Sequence, residues 1–163
     1  MFTKFLHSKA TRGVSAIEIA VGVSIAALVI VFAVQTIGLF VNAGRTASEK
    51  TKAIYLAEDG LELIRYVRDG SWTTISGLAA GTTYYLNVTQ TGVYVVTVPV
   101  TIDGFTRSFR IANVYRNASD DIVTSTTAGS SADTSSKYVT MTVTGGASST
   151  TVSMVTILTE IDP

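Results

Sequence analysis

One carboxylate, Glu18, stands near the start of an otherwise apolar run, "TRGVSAIEIAVGVSIAALVIVFAV". A charged side chain inside a bilayer costs roughly 2.5–3.5 kcal/mol on insertion scales, so such a residue is a functional hypothesis that needs a partner. Elsewhere the chain is poor in reactive groups. It has no cysteine, and its one histidine is His7. If the basic flank that holds His7 is cleaved, neither thiol nor imidazole remains, which weighs heavily against zinc sites and histidine-assisted catalysis. Asp103-Gly104 and Asp120-Asp121 fit turn chemistry, and no full calcium-loop series of carboxylates surrounds them. The chemistry therefore points away from catalysis, cofactors and metals, and toward the placement of a single charge.

Apolar residues make up 47% of the 163-residue chain and charged residues 15%, with the apolar excess near the N-terminus. Net charge is zero, so no basic field favours nucleic acid. The charge is nevertheless uneven. Residues 1–13 carry Lys4, Lys9 and Arg12 and no acid, and the remainder carries nine Lys or Arg against twelve Asp or Glu. A basic flank before an apolar run stays on the cytoplasmic side by the positive-inside rule. The segment that follows the run is then expected outside the cytoplasm.

Four zones position Glu18. Residues 1–13 form a short basic leader. Residues 14–41 are apolar apart from Glu18, Gln35 and small hydroxyl residues, and exceed the ~20 residues a helix needs to span a hydrocarbon core. Within them Ala16, Ala20 and Ser24 are spaced by four, as are Gly22 and Ala26, a spacing that lets helices approach closely in lipid. Residues 42–69 predict a continued amphipathic helix with an apolar stripe of Ala43, Ala47, Ile54, Ala57, Leu61, Ile64 and Val67. Gly70 fits its stop, and Gly44 and Gly60 are weak points within it, each costing ~1 kcal/mol against alanine.

Residues 70–163 change period. Five runs rich in Val, Thr, Tyr and Ile read as strands, and the joints at 91–92, 103–104 and 145–149 predict antiparallel hairpins. Pro99 marks the second run as an edge strand or a bulge. Between the third and fourth runs lies a polar loop of small residues, 117–136. The expected class is α+β: a long N-terminal helix, half membrane and half amphipathic, packed on a four- to five-stranded antiparallel sheet outside the cytoplasm.

Three readings fit the N-terminus. A plain signal anchor explains the leader and the run but not Glu18. A secretory signal cut near Val41-Asn42-Ala43 would need a far shorter apolar core, of ~7–15 residues. The third rests on "RGVSAIE" followed by the unbroken apolar run, which resembles the class III signal of type IV prepilins and pseudopilins. The resemblance is specific over residues 9–41. It implies cleavage by a prepilin peptidase between Gly13 and Val14, N-methylation of Val14, and a filament-assembly ion pair made by Glu18 with the terminal amine of a neighbouring subunit. It further implies other pilin subunits, an assembly platform in the membrane and membrane lipid as partners. The expected location is the cytoplasmic membrane, with a single pass and a cytoplasmic N-terminus, and then a pilus or a periplasmic pseudopilus. The rival from another class is a single-pass anchored or secreted β-domain that binds a ligand or partner through loop 117–136.

Overall fold

The computed structural model describes residues 15–161. Helix α1 runs Ala16–Gly70, and a short α2 covers Trp72–Ser76. Seven strands follow: β1 (Thr83–Thr89), β2 (Gly92–Val96), β3 (Thr101–Ile102), β4 (Phe105–Arg116), β5 (Ile122–Val123), β6 (Ser131–Gly145) and β7 (Thr150–Thr159). All pair antiparallel in one sheet of order β2-β1-β4-β6-β7, with β3 and β5 added along β4. The class is α+β, as expected. The chain divides between Gly44 and Arg45 into two units, treated separately below.

In the first unit every helical residue is exposed, including the apolar side chains from Ile17 to Val41. It is the one helix among the described residues that is long and apolar enough to cross a membrane. Its hydroxyl residues are internally satisfied. Ser24 donates to the Ala20 carbonyl at 2.8 Å and Thr36 to the Phe32 carbonyl at 2.7 Å. Such back-bonding removes the penalty that a bare hydroxyl carries in an apolar medium.

In the second unit the remainder of α1 lies across one face of the sheet. Ala53, Ala57, Gly60, Leu61, Ile64 and Val67 are buried, a stripe at helical spacing. They meet Leu86, Phe109, Ile111, Val139, Met141, Val143 and Leu158 from the sheet. The expected stripe is correct for Ala57, Leu61, Ile64 and Val67. Ala43 and Ala47 are instead exposed, and Ala53 is the buried residue where Ile54 is only half-buried. The cause is the extent of the sheet. Within the second unit the first contacts of α1 are polar and go to the end turns of the sheet, from Thr46 and Glu49 to the β6–β7 turn and from Lys52 to the β3–β4 turn, so the apolar stripe begins only at Ala53.

The expectation of four to five strands is corrected to seven by two pieces of two residues each. Pro99 has no N–H to give to a ladder, so the second run stops at Val96 and resumes at Thr101 beside a different neighbour, β4. β2 is left as an edge strand, one of the two outcomes Pro99 predicts. The loop expected over 117–136 is shorter, because β5 forms within it and β6 begins at Ser131. The polar start of β6 is recruited by pairing with Tyr115 and Arg116 of β4, beyond a register shift at Asn113/Val114. That shift changes the inward alternation, so Val114 is buried three residues after Ile111 rather than two. The hairpins at all three joints form as expected. At the β3–β4 turn both Asp103 (φ 49°) and Gly104 (φ 82°) are left-handed, as a two-residue hairpin of the favoured twist requires.

Candidate functional site

Two of the residues singled out by sequence, Gly13 and Val14, lie outside the described residues, with the rest of the leader. Glu18 occupies the first turn of α1, where its backbone N–H bonds the Ser15 carbonyl at 2.9 Å. A carboxylate there is favoured by the helix dipole, a modest effect of about 0.3–1 kcal/mol. Among the described residues Glu18 makes no ion pair, and its side chain is exposed.

The small residues form two stripes. Glu18, Gly22 and Ala26 succeed one another every four residues, and Ala16, Ala20 and Ser24 do the same two positions earlier. At about 100° per residue an offset of two turns the second stripe to nearly the opposite side. All five small residues are exposed, and a Cβ built on Gly22 meets nothing within 4 Å. The close approach that this spacing permits is therefore not used within the chain. It is available to other helices on two sides, and the carboxylate belongs to one of them.

The second unit holds α1 at named points. Near its start, Glu49 accepts the Ala147 N–H at 3.1 Å and the Ser148 N–H at 3.0 Å from the β6–β7 turn. These bonds, chiefly from Ser148, hold the Glu49 carboxyl below the usual carboxylate range. Lys52 pairs with Asp103 of the β3–β4 turn at 3.0 Å. Midway, Asp59 pairs with Arg107, whose side chain is only 2% exposed and also donates to the Leu56 carbonyl at 3.4 Å. Gly60 sits directly over Arg107 and Met141. These are anchoring groups, and none of them converges with another nucleophile or base into a catalytic arrangement.

Sequence reading missed Arg107, Gly60 and Glu49 as anchors. Arg107 was within reach, because "FTRSFRI" puts it at the same strand parity as Phe105 and Phe109, and an inward arginine demands a carboxylate on the covering helix. The alternation alone does not say that Asp59, 48 positions earlier, is that carboxylate.

The loop after β4 is tied down rather than open. Arg116 Nε donates to Asp133 at 2.8 Å, and Arg116 Nη1 donates to the Asp120 carbonyl at 3.0 Å. Asn117 Oδ1 accepts the N–H groups of Ser119 and Asp121, both at 2.9 Å, closing a turn in which Asp120 is left-handed (φ 66°). Hydrogen bonding from Arg116, then from Ser136, holds the Asp133 carboxyl below its usual range. A carboxylate depressed in the folded state contributes stability above its unfolded value of about 3.9, and that contribution is lost as pH falls through the folded value. Asp133→Asn is therefore expected to lower the urea midpoint at pH 7, and the gap to the parent to narrow as pH falls below about 3.9. A gap between the two proteins that stays constant from pH 7 to pH 2 would show that the Arg116 pairing contributes nothing. Compared with family models, with curated proteins and with solved structures, the chain has no match, so its function is argued from its own residues and geometry.

Proposed function

We propose that this protein is a structural subunit of a type IV pilus or pseudopilus, of minor-pilin character, assembled through its N-terminal helix. The observation that carries the reading is a wholly exposed apolar helical segment from Ile17 to Val41 that bears a single carboxylate in its first turn and leads into a helix anchored on a sheet. Work is done by association, not by a reaction. A prepilin peptidase removes residues 1–13, and Val14 then presents a cationic amine, which N-methylation leaves charged. The subunit rests as a single-pass membrane protein with its sheet outside the cytoplasm, in keeping with the basic leader. An assembly platform draws it from lipid into a bundle of like helices.

That transfer changes little hydrophobic energy, since lipid tails and a helix bundle are similarly apolar. Something else must select the docked position. The two small-residue stripes allow close helix contact on two sides, and Glu18 supplies a charge that one neighbour's amine satisfies. In a medium of low dielectric an unmatched carboxylate is expensive, so registers that leave it alone are disfavoured.

The test is the intact mass and N-terminal sequence of the protein extracted from its native membrane. A chain beginning at Val14, with or without one methyl group, is expected. A start at Gly44 would mean a secretory signal and a released β-domain, and an intact Met1 would mean a plain anchor. Either outcome ends the filament reading.

A further inference from the structure

The charge of the sheet is confined to its middle. From Gly70 to Ile102 the sequence has no charged residue, and from Tyr138 to Thr159 it has none. The first stretch contains β1 and the edge strand β2, and the second contains most of β6 and the opposite edge strand β7. The charged residues of the strands lie on β4 and the first part of β6.

A free strand edge shows a row of unpaired N–H and C=O groups. Proteins usually guard it with lysine, inward charges, proline, a bulge or a cover. β7 carries none of the sequence guards. It is ten residues long, with no charge and no proline, and it pairs without a register shift from Thr159 to Thr150. β2 has no charge and no proline, Pro99 standing beyond its end, and Val93, Tyr94 and Val95 border an open groove whose other wall is Tyr66, Asp69 and Ser71. Both edges also present apolar groups on the sheet face away from α1. Val155 lies opposite Thr140, Thr140 opposite Arg110, and Arg110 opposite Thr83. Thr83, Tyr85 and Asn87 share a face by strand alternation, and Asn87 lies opposite Tyr94. Val155 is 64% exposed and Tyr94 49%. A sheet continued past either edge would keep the two on one side.

We propose that the outer edge of β7 in one copy pairs with the outer edge of β2 in the next, continuing the sheet from subunit to subunit. The occupant is a second copy because the molecule itself carries both halves of the contact. Pairing β7 with β7 would leave both β2 edges bare, whereas head-to-tail pairing covers one edge of each kind at every junction. A head-to-tail contact of this sort propagates unless its rotation closes a ring. The inference rests on the filament reading, which brings copies side by side, and adds to it a contact between the sheet domains.

The absence of cysteine makes the test free of background. Tyr94→Cys is combined in turn with Ser153→Cys, Val155→Cys or Ile157→Cys, all on the same face, in the full chain in its native envelope. Exposure to a thiol oxidant is followed by a non-reducing gel, and filaments are counted in the same cells. The expected result is a ladder of dimers, trimers and larger species from at least one double variant, absent from every single variant. Dimers from a single variant would mean that an edge pairs with itself, and would overturn the proposal. Filaments at parental level with no ladder from any double variant would also overturn it, while leaving the filament reading intact. A ladder without filaments would support the edge contact and remove the filament reading.

Discussion

Glu18→Ala is expected to enter the membrane at least as well as the parent and to be missing from sheared filaments. The two halves of that result have different causes. Insertion is not impaired, because the substitution removes a charge whose cost reaches roughly 2.5–3.5 kcal/mol at the centre of a spanning helix and is smaller near its end, where Glu18 lies. Helix content is little changed, since the dipole term lost with a first-turn carboxylate is about 0.3–1 kcal/mol and α1 continues to Gly70. Incorporation fails because nothing then distinguishes the docked register from its neighbours along an apolar surface. Glu18→Gln separates charge from shape. It keeps the side-chain length and a hydrogen-bonding tip, so a variant that also fails to assemble identifies the charge as the requirement. The readout is the ratio of filament-associated to membrane-associated protein, by immunoblot after shearing. Filaments that contain Glu18→Ala at the parental ratio would end the proposed role.

How much of this was legible before the structure depended on the range of each interaction. The apolar run, the amphipathic continuation and the strand runs are local periodicities, and they were readable. So were the hairpins, because a turn such as Asp103-Gly104 is decided by the backbone freedom of its own residues. The pairing of β1 with β4 was not readable, since Tyr84 and Phe109 meet across residues with no local signal of partnership. The strand start at Ser131–Asp133 is not legible, because serine and aspartate carry little strand preference, and it forms by pairing with Val114–Arg116 of β4. For the candidate site the boundary is different in kind. Glu18, Ala16, Ala20, Gly22, Ser24 and Ala26 are described, yet the partners they would need belong to other molecules.

Gly60 and Gly44 show the same boundary at one residue type, and they should respond to substitution with opposite signs. In the sequence both are equal weak points in a helix. In the structure a Cβ at Gly44 meets nothing within 4 Å, whereas one at Gly60 falls 2.7 Å from Arg107 Cδ and 2.8 Å from Met141 Cε. Gly44→Ala is expected to raise helix stability by up to about 1 kcal/mol. At Gly60 the same propensity gain is opposed by overpacking, which costs about 1–3 kcal/mol in a well-packed core. The usual escape is for flexible side chains to move. Met141 is fully buried, in a core where close packing leaves few voids, and Arg107 is held at its far end by Asp59 and Leu56. Gly60→Val, with two further methyl groups, is expected to lose about 2–3 kcal/mol. Trp72, the one tryptophan, packs against the core and reports the transition by fluorescence in urea, with the full chain held in detergent. A Gly60→Val midpoint equal to the parent's would mean that α1 can lift from the sheet at no cost. The helix would then be held by its ends, at Glu49 and at Val67, rather than along its length.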